Sequence, residues 1–99
     1  MVVDVAVESG VTVVKIDGTI KSVSDSQSIK DAVLACRGDL PIKILIVNSF
    51  SITSSVIGFL LKKVQADKAD ITIEVMDNRL LELFESLNLA EALRVSKKK

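Results

Sequence analysis

The chain has no histidine, tryptophan or tyrosine and a single cysteine among its 99 residues. These absences remove imidazole acid–base chemistry, nucleophile–histidine pairs and most metal sites before any motif is read. Cys36 has no partner for an internal disulfide. It falls on the apolar side of a helical pattern, which predicts a buried, inert thiol in a reducing cytoplasm. Charge of one sign is missing too, because 13 Lys and Arg balance 13 Asp and Glu. With no basic stripe, the sequence offers no electrostatic footprint for nucleic acid. The opening "MVVDVAVESG" carries Asp4 and Glu8 and lacks the basic and long apolar regions of a signal peptide. The longest uncharged run, Ile44 to Leu61, is about as long as a membrane span. Asn48, Ser49, Ser51, Thr53, Ser54 and Ser55 interrupt it, so it reads as strand, loop and helix, with no membrane insertion.

What is present is the composition of an ordinary globular domain: 48% hydrophobic and 26% charged residues, enough chain for one core and not two. Val3, Val5 and Val7 alternate with Asp4, Ala6 and Glu8, the period of a half-buried strand. A turn at Ser9 and Gly10 leads to a second strand, "VTVVKI", ended by Asp17 and Gly18, so the first two elements form a hairpin. Ser24 followed by Gln27 has the spacing of a capping box, and Ile29, Ala32, Val33 and Cys36 then recur as one helical face, with Gly38 as terminator. Ile42, Ile44, Leu45, Ile46 and Val47 form a nearly continuous apolar strand, the kind usually buried on both faces.

Ile57, Leu60, Leu61 and Val64 predict a second helix to about Ala66. "ITIEVM" is a strand, and Asp77 or Asn78 caps a third helix with the face Leu80, Leu83, Phe84 and Leu87. Asn88 suits a left-handed helix end, and "ALRV" supplies a short last strand. The predicted fold is therefore α/β, with a mixed sheet in the order β-β-α-β-α-β-α-β covered by helices. It forms a single domain over residues 1–96, followed by a basic tail at 97–99.

Few places remain for chemistry. Asp67 and Asp70 flank a turn, Glu82 and Glu85 lie on the polar side of the third helix, and "IDGTI" holds a lone turn glycine rather than a phosphate loop. The sequence predicts no enzyme and no cofactor. The exception is the loop after the central strand, since ligands and partners of open α/β sheets meet the carboxyl ends of strands, where helix N-termini expose free N–H groups. Thr53 or Ser54 serves as an N-cap there, and one cap uses one hydroxyl of the five in "SFSITSS".

The segment "VNSFSITSSVIGFLL" resembles the signature of the STAS domain of anti-sigma factor antagonists. In that family a strand leads into Asp-Ser-Ser/Thr-Gly-Leu-Gly at the start of a helix. Ser54 matches the phosphorylated serine, Ser55 the next hydroxyl residue, Ile57 the Leu and Gly58 the second Gly. "VTVVKIDGTI" resembles the family's second strand and Gly-x-Leu step, and "NRLLELFESLNLAEALRV" its closing helix and strand. Thr53 stands in place of the Asp, Val56 in place of the first Gly, and Lys21 where an Asp commonly follows the Gly-x-Leu step.

The resemblance implies a cytoplasmic binding module. Such a module binds an anti-sigma factor that is also a serine kinase, and phosphorylation of Ser54 releases it. Thr53, Ser55, Val56, Lys21 and Ser51 would surround the contact. It also leaves open a scaffold that is never phosphorylated, such as a small subunit of a lipid-transport ATPase or of a signalling complex. An unrelated small α/β domain and a homodimer stay open as well.

Overall fold

The computed structural model describes residues 1–36 and 38–98. Strands β1 (Val2–Glu8) and β2 (Val11–Asp17) form the hairpin, joined by Ser9 and Gly10. Both joining residues have positive φ, 51° and 79°. This is the two-residue turn whose twist matches that of paired strands, and the glycine takes its second position without strain. Helix α1 (Val23–Leu34), β3 (Ile42–Val47), α2 (Ser54–Gln65), β4 (Ile71–Val75), α3 (Asn78–Ser86) and β5 (Val95–Lys97) follow. The order of elements matches the sequence pattern, and the domain is α/β with a five-stranded mixed sheet. The sequence puts the end of the domain at residue 96. Strand β5 runs through Lys97, and the Lys98 N–H still donates to Val75 O at 2.9 Å. Lys99 lies outside the described residues.

The strands stand in the order β1-β2-β3-β4-β5, antiparallel at the hairpin and parallel thereafter. Each parallel crossover therefore steps the same way across the sheet. Right-handed crossovers that never reverse direction put every helix on one side. The core agrees: Val14, Ile16, Ile44, Ile46, Ile73 and Val75 join Ile29, Val33, Val56, Leu60, Leu80 and Phe84 in one cluster. The alternate residues Val11, Val13, Leu45 and Val47 are half-buried and lie outside that cluster.

The expectation that β3 is buried on both faces thus fails. Its apolar run is continuous, but only Ile42, Ile44 and Ile46 meet the helices. Strand β1 departs too: Val3 is half-buried, while Val5 and Val7 are exposed at the sheet edge.

Helix starts depend on which oxygen competes best for the free N–H groups. In α1 the cap is Ser22 rather than Ser24. Ser22 Oγ accepts from Asp25 N at 3.0 Å, and the Asp25 carboxylate accepts from the N–H of Ser22 and of Lys21, both at 3.2 Å. An ionised carboxylate near the positive end of a helix outcompetes the neutral amide of Gln27, which donates to Asp31 instead. Asp77 caps α3 through Arg79 N at 2.8 Å.

The Lys21 and Ser22 amides hold the Asp25 carboxyl below the usual carboxylate value, and the Arg79 side chain does the same for Asp77. Both caps are therefore complete above the ordinary carboxylate range and weaken as pH falls through the lowered values.

One further expectation changes. Leu87 is the C-cap of α3 and is 48% exposed, so Leu80 and Phe84 are the fully buried anchors of that helix, with Leu81 and Leu83 half-buried against the core. Asn88 takes the left-handed conformation at φ 58°, as its position after the helix predicts. Gly58 has open space where a side chain would stand, so no close packing requires a glycine there. Among the described residues no helix is long and apolar enough to cross a membrane.

Candidate functional site

Because β2 and β3 are parallel neighbours, the loops leaving them come together at one end of the sheet. Gly18 N donates to Val47 O at 3.1 Å, and the Asn48 amide donates to Asp17 Oδ1 at 2.8 Å. Two serines then fasten the loops together around the buried Ile20. Ser49 Oγ accepts from Ile20 N at 3.3 Å and donates to Ser51 O at 2.8 Å, while Ser51 Oγ donates to Ile20 O at 3.1 Å. Both backbone groups of Ile20 are satisfied by hydroxyls from the neighbouring loop. Ser51, placed by the sequence at a partner contact, is thus half-buried and occupied with the fold.

Ser49→Ala is expected to cost about 1–3 kcal/mol, because it leaves the buried Ile20 N–H without an acceptor. Urea unfolding of the variant checks this, and a loss below about 0.5 kcal/mol would deny the tie, being the change of an ordinary surface substitution.

Of the two caps the sequence offers, Thr53 is the one that serves α2, with Oγ1 accepting from Val56 N at 3.2 Å. Its oxygen also lies 2.7 Å from Ser26 Oγ, and Ser26 Oγ donates to Ser22 O at 3.0 Å. Counting protons fixes the directions. Ser26 spends its own on Ser22 O, so Thr53 donates to Ser26 while accepting from Val56 N. A neutral relay therefore joins the first turns of α1 and α2 at the position where the STAS pattern has an acid. Val56 is 1% exposed and points into the core, so it does not reach a partner. Its apolar side chain on the inner face of α2 explains that placement.

Ser55 Oγ accepts from Lys30 Nζ at 2.6 Å across the gap between the helices. Ser54 differs from the other four hydroxyl residues of the loop: it is exposed and its side chain makes no hydrogen bond among the described residues. Lys21 is exposed on the facing loop, and its side chain forms no ion pair among the described residues. Together these residues edge a groove of about 160 Å³ between the starts of α1 and α2, lined also by Val23, Ser26, Gln27 and Thr53. Two lysines and no carboxylate line it, so its field favours negative charge.

No match to this chain was found among protein-family models or curated proteins.

The groove contains residues that the sequence reading passed over. Val23 is 87% exposed at the first turn of α1, and Lys30 lies two turns further on. Their signal was available in principle. Parallel neighbours with one-sided crossovers bring successive helix starts together, so α1 had to border α2. Phe50 is also exposed at this end, with the Arg79 guanidinium 4.6 Å from its ring centre.

A larger depression of about 220 Å³ beside Glu85, Asn88, Ala90 and Glu91 offers no nucleophile and no cation. Cys36 is half-buried with its thiol donating to Ala32 O at 3.2 Å, and burial pushes its pKa up, away from reactivity. Among the described residues no group of three His, Cys, Asp or Glu side chains could hold a metal ion.

Proposed function

We propose that this chain is a STAS-like binding module of the anti-sigma factor antagonist kind, cytoplasmic and without catalytic activity of its own, switched by phosphorylation of Ser54. The observation that carries the reading is the division of labour among the loop hydroxyls. Ser49 and Ser51 tie the loops, Thr53 caps α2 and Ser55 holds Lys30, which leaves Ser54 exposed and uncommitted. A hydroxyl that supports no structure can be modified without loss of structure.

Phosphate at Ser54 adds about 1.5–2 negative charges at a helix start, where the backbone dipole tolerates them. The domain stays folded and its partner face changes. An anti-sigma factor that is also a serine kinase binds the neutral form and is released by the charged one. Incubation with the cognate kinase and ATP, followed by peptide mass spectrometry, tests the assignment. Phosphate on Ser54 is expected, and phosphate confined to Ser55 or Ser51 overturns it.

The neutral relay through Thr53 and Ser26, with Lys21 beside it, favours a second reading in which the groove is never phosphorylated. The chain is then a STAS-like scaffold subunit, of a lipid-transport ATPase or of a signalling complex. A kinase that leaves Ser54 unmodified, with partner binding indifferent to charge there, selects this reading.

A further inference from the structure

We infer that the helix-free face of the sheet is a homodimer interface, with the two-fold axis running along β3. Three of the four strand pairings are parallel, and parallel sheets are almost always covered on both faces. Here every helix lies on one side. The other side presents Val11, Val13, Leu45 and Val47, apolar and half-buried by one another but outside the core. Something apolar should cover them.

The charges on this face identify the cover as a second copy. Register places Lys15, Leu45 and Glu74 side by side on β2, β3 and β4. A two-fold axis along β3 exchanges β2 with β4. It therefore sets Lys15 against Glu74 of the second copy, Leu45 against Leu45 and Val47 against Val47. A row that reads cation, apolar, anion is its own complement under that rotation, as an isologous interface requires.

Lys43 meets its own equivalent, but it is already paired with Glu74 at 2.8 Å within each copy. Asp4, opposite Lys15 on β1, adds a second carboxylate to the two lysines, while Asp17, in the row of Val47, accepts from the Asn48 amide within each copy. Strands about 4.8 Å apart and about 20 Å long give a projected face of roughly 500 Å². That is the low end of specific interfaces, where weak and reversible association is found. The groove between α1 and α2 lies on the helix side, so a dimer leaves both copies of it free.

Sedimentation equilibrium on the full chain tests the inference. The expected result is a reversible dimer that Leu45→Asp weakens by at least about 100-fold and Lys15→Glu by about 10-fold, the range of core and charged interface positions. The exchange Lys15→Glu with Glu74→Lys should restore dimerisation, because Lys43 is diagonal to both positions and keeps a carboxylate neighbour either way. Circular dichroism checks folding, and Lys15→Glu, at an exposed position, keeps the test valid should Leu45→Asp unfold. A native chain that stays monomeric into the millimolar range overturns the inference. So does a dimer indifferent to Leu45→Asp, or an exchange that fails to recover association. None of these outcomes depends on phosphorylation of Ser54.

Discussion

Phe84→Ala is expected to lower the unfolding free energy by about 3–5 kcal/mol, the usual cost of deleting a buried ring and leaving its cavity. Phe84 is fully buried and belongs to the same cluster as Ile73, Val75, Leu80 and Leu93. Helix α3 has nine residues, and a helix that short is marginal by itself in water. Its hold on the sheet rests on Phe84 and Leu80, the buried positions of its face.

The turn that follows depends on the same anchor, since Leu89 N donates to Phe84 O at 2.9 Å and Leu93 packs into the cluster. A domain of this size has about 5–15 kcal/mol in all, so about a fifth or more of its stability is at stake. Urea unfolding should show a lower midpoint with unchanged slope. Leu87→Ala, at an exposed cap, serves as the control and should change stability by no more than about 0.5 kcal/mol. Equal losses in the two variants would refute the anchoring role.

That contrast between Phe84 and Leu87 marks where the sequence could be read and where it could not. Helical spacing puts both on one face, but the spacing does not say where the helix stops, and Leu87 falls on the cap. The hairpin was legible because Ser9 and Gly10 must adopt positive φ between two β-branched runs. The α2 cap was legible to within one residue, because Thr53 and Ser54 both precede the apolar periodicity that starts at Ile57. The α1 cap was not, because Ser22 and Ser24 both offer hydroxyls, and the charge of Asp25 decides between them.

The apolar run of β3 misled for a different reason. Burial on both faces depends on which way the crossovers step, and no local pattern encodes that step. For the same reason the loop of Ser54 could be singled out from the sequence, whereas the opposite wall of its groove, Val23 and Lys30 on α1, became visible only once β2 and β3 were neighbours.

Ser54→Asp is expected to reduce capture of the protein partner by about 100-fold, the effect of a few kcal/mol placed against one form of an interface. The charge enters at the one loop hydroxyl whose side chain is both exposed and uncommitted, so it changes the partner face without breaking an internal hydrogen bond. The fold itself should not suffer, because an acid in the first turn of a helix adds about 0.3–1 kcal/mol of stability. Thermal unfolding of the variant should therefore match or exceed that of the native chain, which separates lost binding from lost structure.

Ser55→Asp provides the sharper comparison. Its neighbour Lys30 already reaches the Ser55 oxygen at 2.6 Å, so a carboxylate there forms an ion pair within the chain and presents less charge to a partner. Affinity capture should thus rank the native chain first, Ser55→Asp next and Ser54→Asp last, with Ser54→Ala close to native. If Ser54→Asp captures the same partner as fully as the native chain, the charge switch is wrong and the scaffold reading stands. If Ser55→Asp is the more damaging change, the groove recognises its partner through the Lys30–Ser55 bond instead, and Ser54 loses its place as the switch.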